Sequence, residues 1–173
     1  DNKKVIFKIS DLIILKNFSR RAKLFFFSVF IFTLGNSSDA FLIFRLKQSG
    51  VETVYIPMLW GLFNLVKSIG NYPAGVIADN YNKKTVIVIG WLIYAITYLF
   101  FGLFESKSAV ITIFLLYGLY YSLTEGVERA FLADIVPQEY RGSAYGVYNF
   151  AIGISALPAS LLFGYLWEKF SYL

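Results

Sequence analysis

Long apolar runs separated by short polar turns make up most of the chain, and the runs have the length of membrane-crossing helices. The clearest extends from Thr85 to Phe104, twenty residues without a charge. At about 1.5 Å per residue this helix covers about 30 Å, one hydrocarbon thickness. Four further spans are expected around it, at about Leu24–Leu46, Val54–Asp79, Ala109–Val136 and Gly142–Trp167. The first is joined through Asn36-Ser37-Ser38-Asp39, because Leu24–Leu34 alone is too short to cross. Polar turns close the others: Asn80-Tyr81-Asn82-Lys83-Lys84, Glu105-Ser106-Lys107-Ser108 and Pro137-Gln138-Glu139-Tyr140-Arg141.

Polar positions inside the runs are patterned. In the second span Gly61, Asn64, Lys67, Ser68, Asn71 and Gly75 recur at three-or-four spacing, a small and polar stripe suited to close helix contact. Pro73 in the same span releases a backbone carbonyl that neighbouring helices can re-satisfy. The fifth span carries a similar stripe in Gly142, Gly146, Asn149, Gly153, Ala156 and Ser160. The stretch from Gly118 to Gly142 is the most unusual. It places Glu125, Glu128 and Arg129 at i, i+3 and i+4, with Tyr121 and Tyr117 one and two turns back on the same face. Asp39 in the first span and Lys67 near the middle of the second add two more intramembrane charges. Five charges facing lipid would cost about 12–18 kcal/mol on insertion scales, so they are expected to converge on a protein interior or a wet cavity.

Composition supports the membrane reading. The 173 residues are 57% hydrophobic and 16% charged, against about 45–50% and 25% in soluble domains. The net charge of +5 does not point to nucleic acid, because seven of the sixteen basic residues lie in the first 23 positions, outside the apolar runs. That flank reads as a cytoplasmic segment; Val5, Ile6, Ile9, Leu12 and Ile13 give it the partial periodicity of a short interfacial helix. About twenty mixed residues precede the first apolar run, unlike a signal peptide. With a cytoplasmic N-terminus, ten basic residues fall on the cytoplasmic side, Lys83, Lys84 and Arg141 among them, and four on the other. Five spans then put the C-terminus outside, with Trp167 and Tyr172 at the far interface. The absence of Cys and His removes disulfides, thiol chemistry and the commonest general base. No ligand cluster points to a metal or a cofactor.

Two cytoplasmic turns echo one another. Ala78-Asp79 is followed by Lys83-Lys84, and Ala133-Asp134 by Arg141. An Asp in the last turn of a helix sits at the negative end of its dipole and calls for a nearby cation. Residues 75–87, GVIADNYNKKTVI, resemble the signature loop that follows the second helix of each six-helix half in the major facilitator superfamily. Gly75, Asp79, Tyr81, Lys83 and Lys84 match that pattern; Asn80 and Asn82 replace its usual basic residue and Gly. Residues 132–146 are similar to the family's turn between the fourth and fifth helices of a half, and residues 34–42 to the polar first helix of one bacterial group. The resemblance covers about residues 24 to 170. It implies an all-α membrane protein whose five transmembrane helices form most of one six-helix half-bundle. These would be helices seven to eleven, with 1–23 as a basic linker and the N-terminal half of the transporter lying elsewhere.

The expected function is secondary transport of a small solute by alternating access, coupled to protons, in a bacterial inner membrane. In the family, the first and fourth helices of a half line the cavity. Candidate cavity residues are Asp39, Lys67, Glu125, Glu128, Arg129, Asn36, Asn64 and Tyr121. Three carboxylates against two cations leave one negative charge in excess. Burial disfavours its ionised form, which makes Asp39 or Glu125 the candidate proton carrier and weakly favours a cationic or zwitterionic solute. Glu128 and Arg129 fit a structural ion pair as well as a site. Tyr117, Tyr120, Tyr121, Trp60 and Trp91 can stack on a substrate or simply pack. Gly75, Asp79, Lys83, Lys84, Asp134 and Arg141 read as a conformational latch, and Gly146 and Gly153 as points of close contact and bending. An intramembrane enzyme lacks any recognisable nucleophile arrangement. A receptor or accessory subunit on the same fold would bind solute without moving it.

Overall fold

In the computed structural model, residues 18–36 and 39–170 are described, except for the side chains of Trp167 and Phe170. Six helices follow in order: α1 Arg20–Leu34, α2 Ala40–Gln48, α3 Ile56–Asn80, α4 Lys83–Leu103, α5 Lys107–Ile135 and α6 Arg141–Phe170. There is no strand among the described residues. Three of the helices are long and apolar enough to cross a membrane: α4, α5, and α6 counted as 138–166 together with its preceding turn. The expected second span forms the 25-residue α3, which is not among these three; its polar stripe interrupts the apolar run. The interfacial-helix reading of Val5 to Ile13 and the placement of Tyr172 lie outside the described residues.

The expected first span is two helices, not one. Ser19 caps α1, its hydroxyl accepting from the Ala22 N–H at 3.2 Å. α1 then stops at Gly35 after 15 residues, about 22 Å of helix and short of a crossing. The next residues are Asn, Ser, Ser and Asp, whose side chains compete for backbone hydrogen bonds and favour caps over helix interiors. α2 restarts behind Asp39, which occupies its N-cap position. A carboxylate there suits the positive end of the helix dipole, and Arg45 and Lys47 suit the negative end. Gly50 takes φ +89°, a left-handed conformation open to glycine, and turns the chain out of α2.

The chain divides into two compact units, residues 39–131 and residues 1–38 with 132–173. In the second of these, α1 packs along α6. The buried face of α1 is Ala22, Phe25, Phe26, Val29 and Thr33, at the three-four spacing of one helical side. Phe25 stacks on Tyr148 with ring centroids 6.3 Å apart. On α6 the buried residues are Ala144, Tyr148, Ala151, Ser155 and Ala159. The stripe that includes Gly142, Asn149, Gly153 and Ala156 is exposed instead, and a Cβ on Gly142 or Gly153 would meet nothing within 4 Å. Within this unit α6 meets α1 through its Ala and Ser side, and Gly142 and Gly153 lie on another side.

In residues 39–131, α5 crosses α3 and α4, with a small residue at each crossing. A Cβ on Gly118 would come within 3.1 Å of the Phe63 carbonyl oxygen and 3.3 Å of the Lys67 amide nitrogen on α3. One turn on, the Ser122 hydroxyl donates to the Lys67 carbonyl at 2.9 Å, and Gly70 leaves room for it. Gly90 does the same for Thr124 on the α4 side. Apart from Lys67 itself, the α3 stripe is not the contact that brings α3 and α5 together; Gly61 and Gly75 face open space. An aromatic core fills the centre. Phe63, Phe114, Tyr117, Tyr120, Tyr94 and Tyr98 lie in a chain of ring contacts with centroids 4.4–6.1 Å apart. Arg45 ties α2 to the end of α4, donating from Nε to the Phe101 carbonyl at 3.1 Å and from Nη2 to the Phe104 carbonyl at 3.0 Å. These are carbonyls that a helix C-terminus leaves without intrahelical donors.

Candidate functional site

The crossing of α5 over α3 brings the charges together. Once Ser122 is bonded to the Lys67 carbonyl, the next turn of α5 sets Glu125 beside the Lys67 side chain. The two form an ion pair at 2.5 Å, with Lys67 a quarter exposed. Arg129, four residues further along α5, approaches the other oxygen of the same carboxylate at 3.9 Å. Lys67 Nζ also lies 4.8 Å from the centre of the Tyr121 ring, within cation–π range. One carboxylate is thus shared by two cations from different helices.

Asp39 is held differently. Its carboxylate accepts from the Tyr117 hydroxyl at 3.2 Å and from the Tyr121 hydroxyl at 3.0 Å and 3.2 Å. Tyr121 therefore touches both halves of the cluster, with its hydroxyl on Asp39 and its ring under Lys67. The aromatic residues considered for stacking on a solute are engaged with the protein itself. Tyr117 and Tyr120 sit in the ring core, and Trp60 packs on Phe63 with centroids 5.2 Å apart.

Glu128 leaves the shared face expected from its spacing. It is 6% exposed, and its Oε1 accepts the Trp91 indole N–H from α4 at 2.9 Å. At 100° per residue Glu128 lies about 60° to one side of Glu125 and Arg129 about 40° to the other, so Glu125 and Arg129 turn to α3 while Glu128, about 100° from Arg129, turns to α4. Trp91 as its partner was not foreseen. The usable signal was chemical: an indole N–H in an apolar helix needs an acceptor, and a buried carboxylate needs donors. Asn64 bonds within its own helix, to the Trp60 carbonyl at 2.8 Å. Asn36 belongs to the other compact unit, where its backbone N–H donates to the Thr33 carbonyl at 3.0 Å and closes the end of α1.

Of the expected latch residues, Asp79 pairs with Lys83 at 3.6 Å across the α3–α4 turn. Asn82 caps α4 by accepting from the Lys84 N–H at 3.0 Å, and the Lys84 ammonium lies 5.8 Å from the Phe131 ring centre. At the second turn Arg141 donates to the Ala133 carbonyl at 3.2 Å, one residue before the exposed Asp134. A groove of about 500 Å³ runs between α3 and α5 from the charge cluster to the Asp79–Lys83 pair. Lys67, Asn71, Gly75 and Asp79 line it at four-residue steps along α3, opposite Glu125 and Arg129 of α5. Lys83, at the start of α4, completes it, so residues expected in two separate places share one cavity. No side chain fills the space beside Gly75 and Gly126, which keeps the groove open.

Long apolar helices with a charge cluster and a polar groove between two of them define a polytopic α-helical membrane protein. The chain matches the family model of the Major Facilitator Superfamily over residues 4–172, and it belongs to that family. It is similar to an uncharacterized MFS-type transporter of Methanocaldococcus jannaschii, 34% identical over 173 residues, which cover 96% of this chain and 42% of the relative. A probable peptide/nitrate transporter of Arabidopsis thaliana is 33% identical over 120 residues, 69% of this chain and 25% of that protein. A probable 4-methylmuconolactone transporter of Cupriavidus pinatubonensis is 23% identical over 127 residues, 71% of this chain and 30% of that protein. The chain thus spans less than half the length of these relatives. No solved structure matches it.

Proposed function

We propose that this chain contributes one half of a secondary transporter that moves a small solute by alternating access, with protons as the coupling ion. Family membership and the names of the similar proteins support a transporter rather than an enzyme. In this reading residues 24–170 are part of the C-terminal bundle, and the basic 1–23 segment lies on the cytoplasmic side of the inner membrane. An N-terminal half supplies the other wall of the pathway.

One observation carries the proton assignment: Asp39 is bonded to two neutral phenols, whereas Glu125 is bracketed by Lys67 and Arg129. In this reading the carboxylate held by two cations serves the ion pair, and the one held by hydroxyls takes up and releases the proton. Asp39 is accordingly the proton carrier and Glu125 its counter-charge. When Asp39 is protonated it no longer attracts Lys67; when it is ionised, Lys67 is drawn toward it across the Tyr121 ring. That competition links proton state to helix position.

The test is pH-driven uptake in proteoliposomes, using labelled organic anions, amino acids and organic cations. Asp39→Asn abolishes accumulation driven by a pH gradient but retains solute exchange. Glu125→Gln weakens transport and keeps its pH dependence. Unchanged pH-driven accumulation in Asp39→Asn removes Asp39 from the role.

A further inference from the structure

We propose that the α3–α5 groove binds the anionic group, carboxylate or phosphate, of a small solute. This deepens the transporter reading and rests on it for the word solute, but the binding site stands on its own observations. The volume, about 500 Å³, falls within the range of about 300–1,000 Å³ typical of small-molecule sites. Its lining brings three cations, Lys67, Lys83 and Arg129, against two carboxylates, Glu125 and Asp79. The sign is the reverse of the excess negative charge read from the sequence. Two of the carboxylates in that count do not line the groove: Asp39 is held by tyrosines, and Glu128 faces Trp91. An anion entering between Lys67 and Arg129 shifts the balance of the shared Glu125 pair, whose longer arm already spans 3.9 Å. Asn71 and Ser122 add polar atoms to the lining.

The position has a mechanical consequence. Lys83 is both a wall of the groove and the partner of Asp79 in the ion pair across the α3–α4 turn, at 3.6 Å. An anion that recruits Lys83 competes with Asp79 for it. Occupancy of the groove thereby loosens the latch.

The chain has no cysteine, so Gly126→Cys introduces a single thiol into the groove wall, at a position with open space for it. The experiment measures maleimide labelling of this thiol in the membrane-reconstituted protein with succinate, inorganic phosphate, glycine betaine or tetraethylammonium as probe. A probe at about ten times its dissociation constant should slow labelling of an occluded thiol about tenfold. Succinate or phosphate is expected to protect, and betaine and tetraethylammonium are not. Lys67→Gln and Arg129→Gln lose the protection, and Lys67→Arg, which keeps the charge, retains it. Vesicles of phosphatidylcholine with and without phosphatidylglycerol identify the source: slow labelling that needs phosphatidylglycerol and no added solute assigns the anion to a lipid headgroup. Protection by tetraethylammonium alone, or by no probe or lipid, overturns the proposal. The two readings fail separately. Protection without pH-driven flux leaves the anion site and removes the transport assignment; flux without anion protection does the reverse.

Discussion

Glu128 and Trp91 illustrate how a single buried pair can be costly to disturb. The carboxylate is almost fully enclosed, and the indole N–H reaches it from another helix at 2.9 Å. Interhelical hydrogen bonds in membrane proteins contribute about 0.6 kcal/mol on average and up to about 1.7. Trp91→Phe keeps an aromatic ring but removes the donor, and it should lower the unfolding free energy in mixed micelles by about 0.6–1.7 kcal/mol. Reversible denaturation checks it; a loss near zero means that Glu128 draws its stabilisation from elsewhere. Tyr121 is a second residue with two duties, since its hydroxyl serves Asp39 while its ring lies beneath Lys67. At this scale the sequence identified the chemically loaded positions. It could not pair them, because Trp91 and Glu128 are 37 positions apart and Asp39 and Tyr121 are 82.

At the scale of elements, the glycines divide by what lies opposite them. A methyl group on Gly90 would stand 2.6 Å from Thr124 Cγ2 and 3.2 Å from Leu123 Cβ, whereas one on Gly102 of the same helix meets nothing within 4 Å. Gly90→Ala is therefore expected to destabilise by about 1–3 kcal/mol through overpacking. Gly102→Ala should be neutral or slightly stabilising, since Ala is the better helix former. The two variants differ only in site, so equal stabilities would refute the α4–α5 crossing. The break at Gly35 belongs to this scale as well. The polar insert was visible in the chain, but hydropathy alone joined what the backbone separates. The stripe on α6 lies away from the α1 contact, because small residues permit close approach and do not require it. The helix used Ala144, Ala151, Ser155 and Ala159 instead.

For the molecule as a whole, the large apolar surface facing outward is the main feature. Only 33% of the most apolar stretch of α4 is buried, and Leu92, Ile96, Leu99 and Leu103 are each about half exposed or more. In water such a surface would drive aggregation; against acyl chains it is the correct exterior. The orientation proposed for it is testable at the two ends of α4. Asn82→Cys should react with a membrane-impermeant maleimide from the cytoplasmic side only, and Ser106→Cys from the opposite side only. Labelling of both from one side would overturn the crossing, and a reversal of both sides would invert the proposed orientation.

Length, hydropathy and loop chemistry by themselves determined that this is an α-helical membrane protein with ionisable residues within its apolar runs, together with its resemblance to a facilitator half. Those properties are local: a run of apolar residues must form a helix in lipid, and a turn motif is read from adjacent positions. Which carboxylate meets which cation was decided only when α5 crossed α3 and α4 at Gly118, Gly70 and Gly90. A helix turns 100° per residue, so the angle of each crossing selects the side chains that meet. That is why Glu125 and Glu128, three residues apart, ended in different environments.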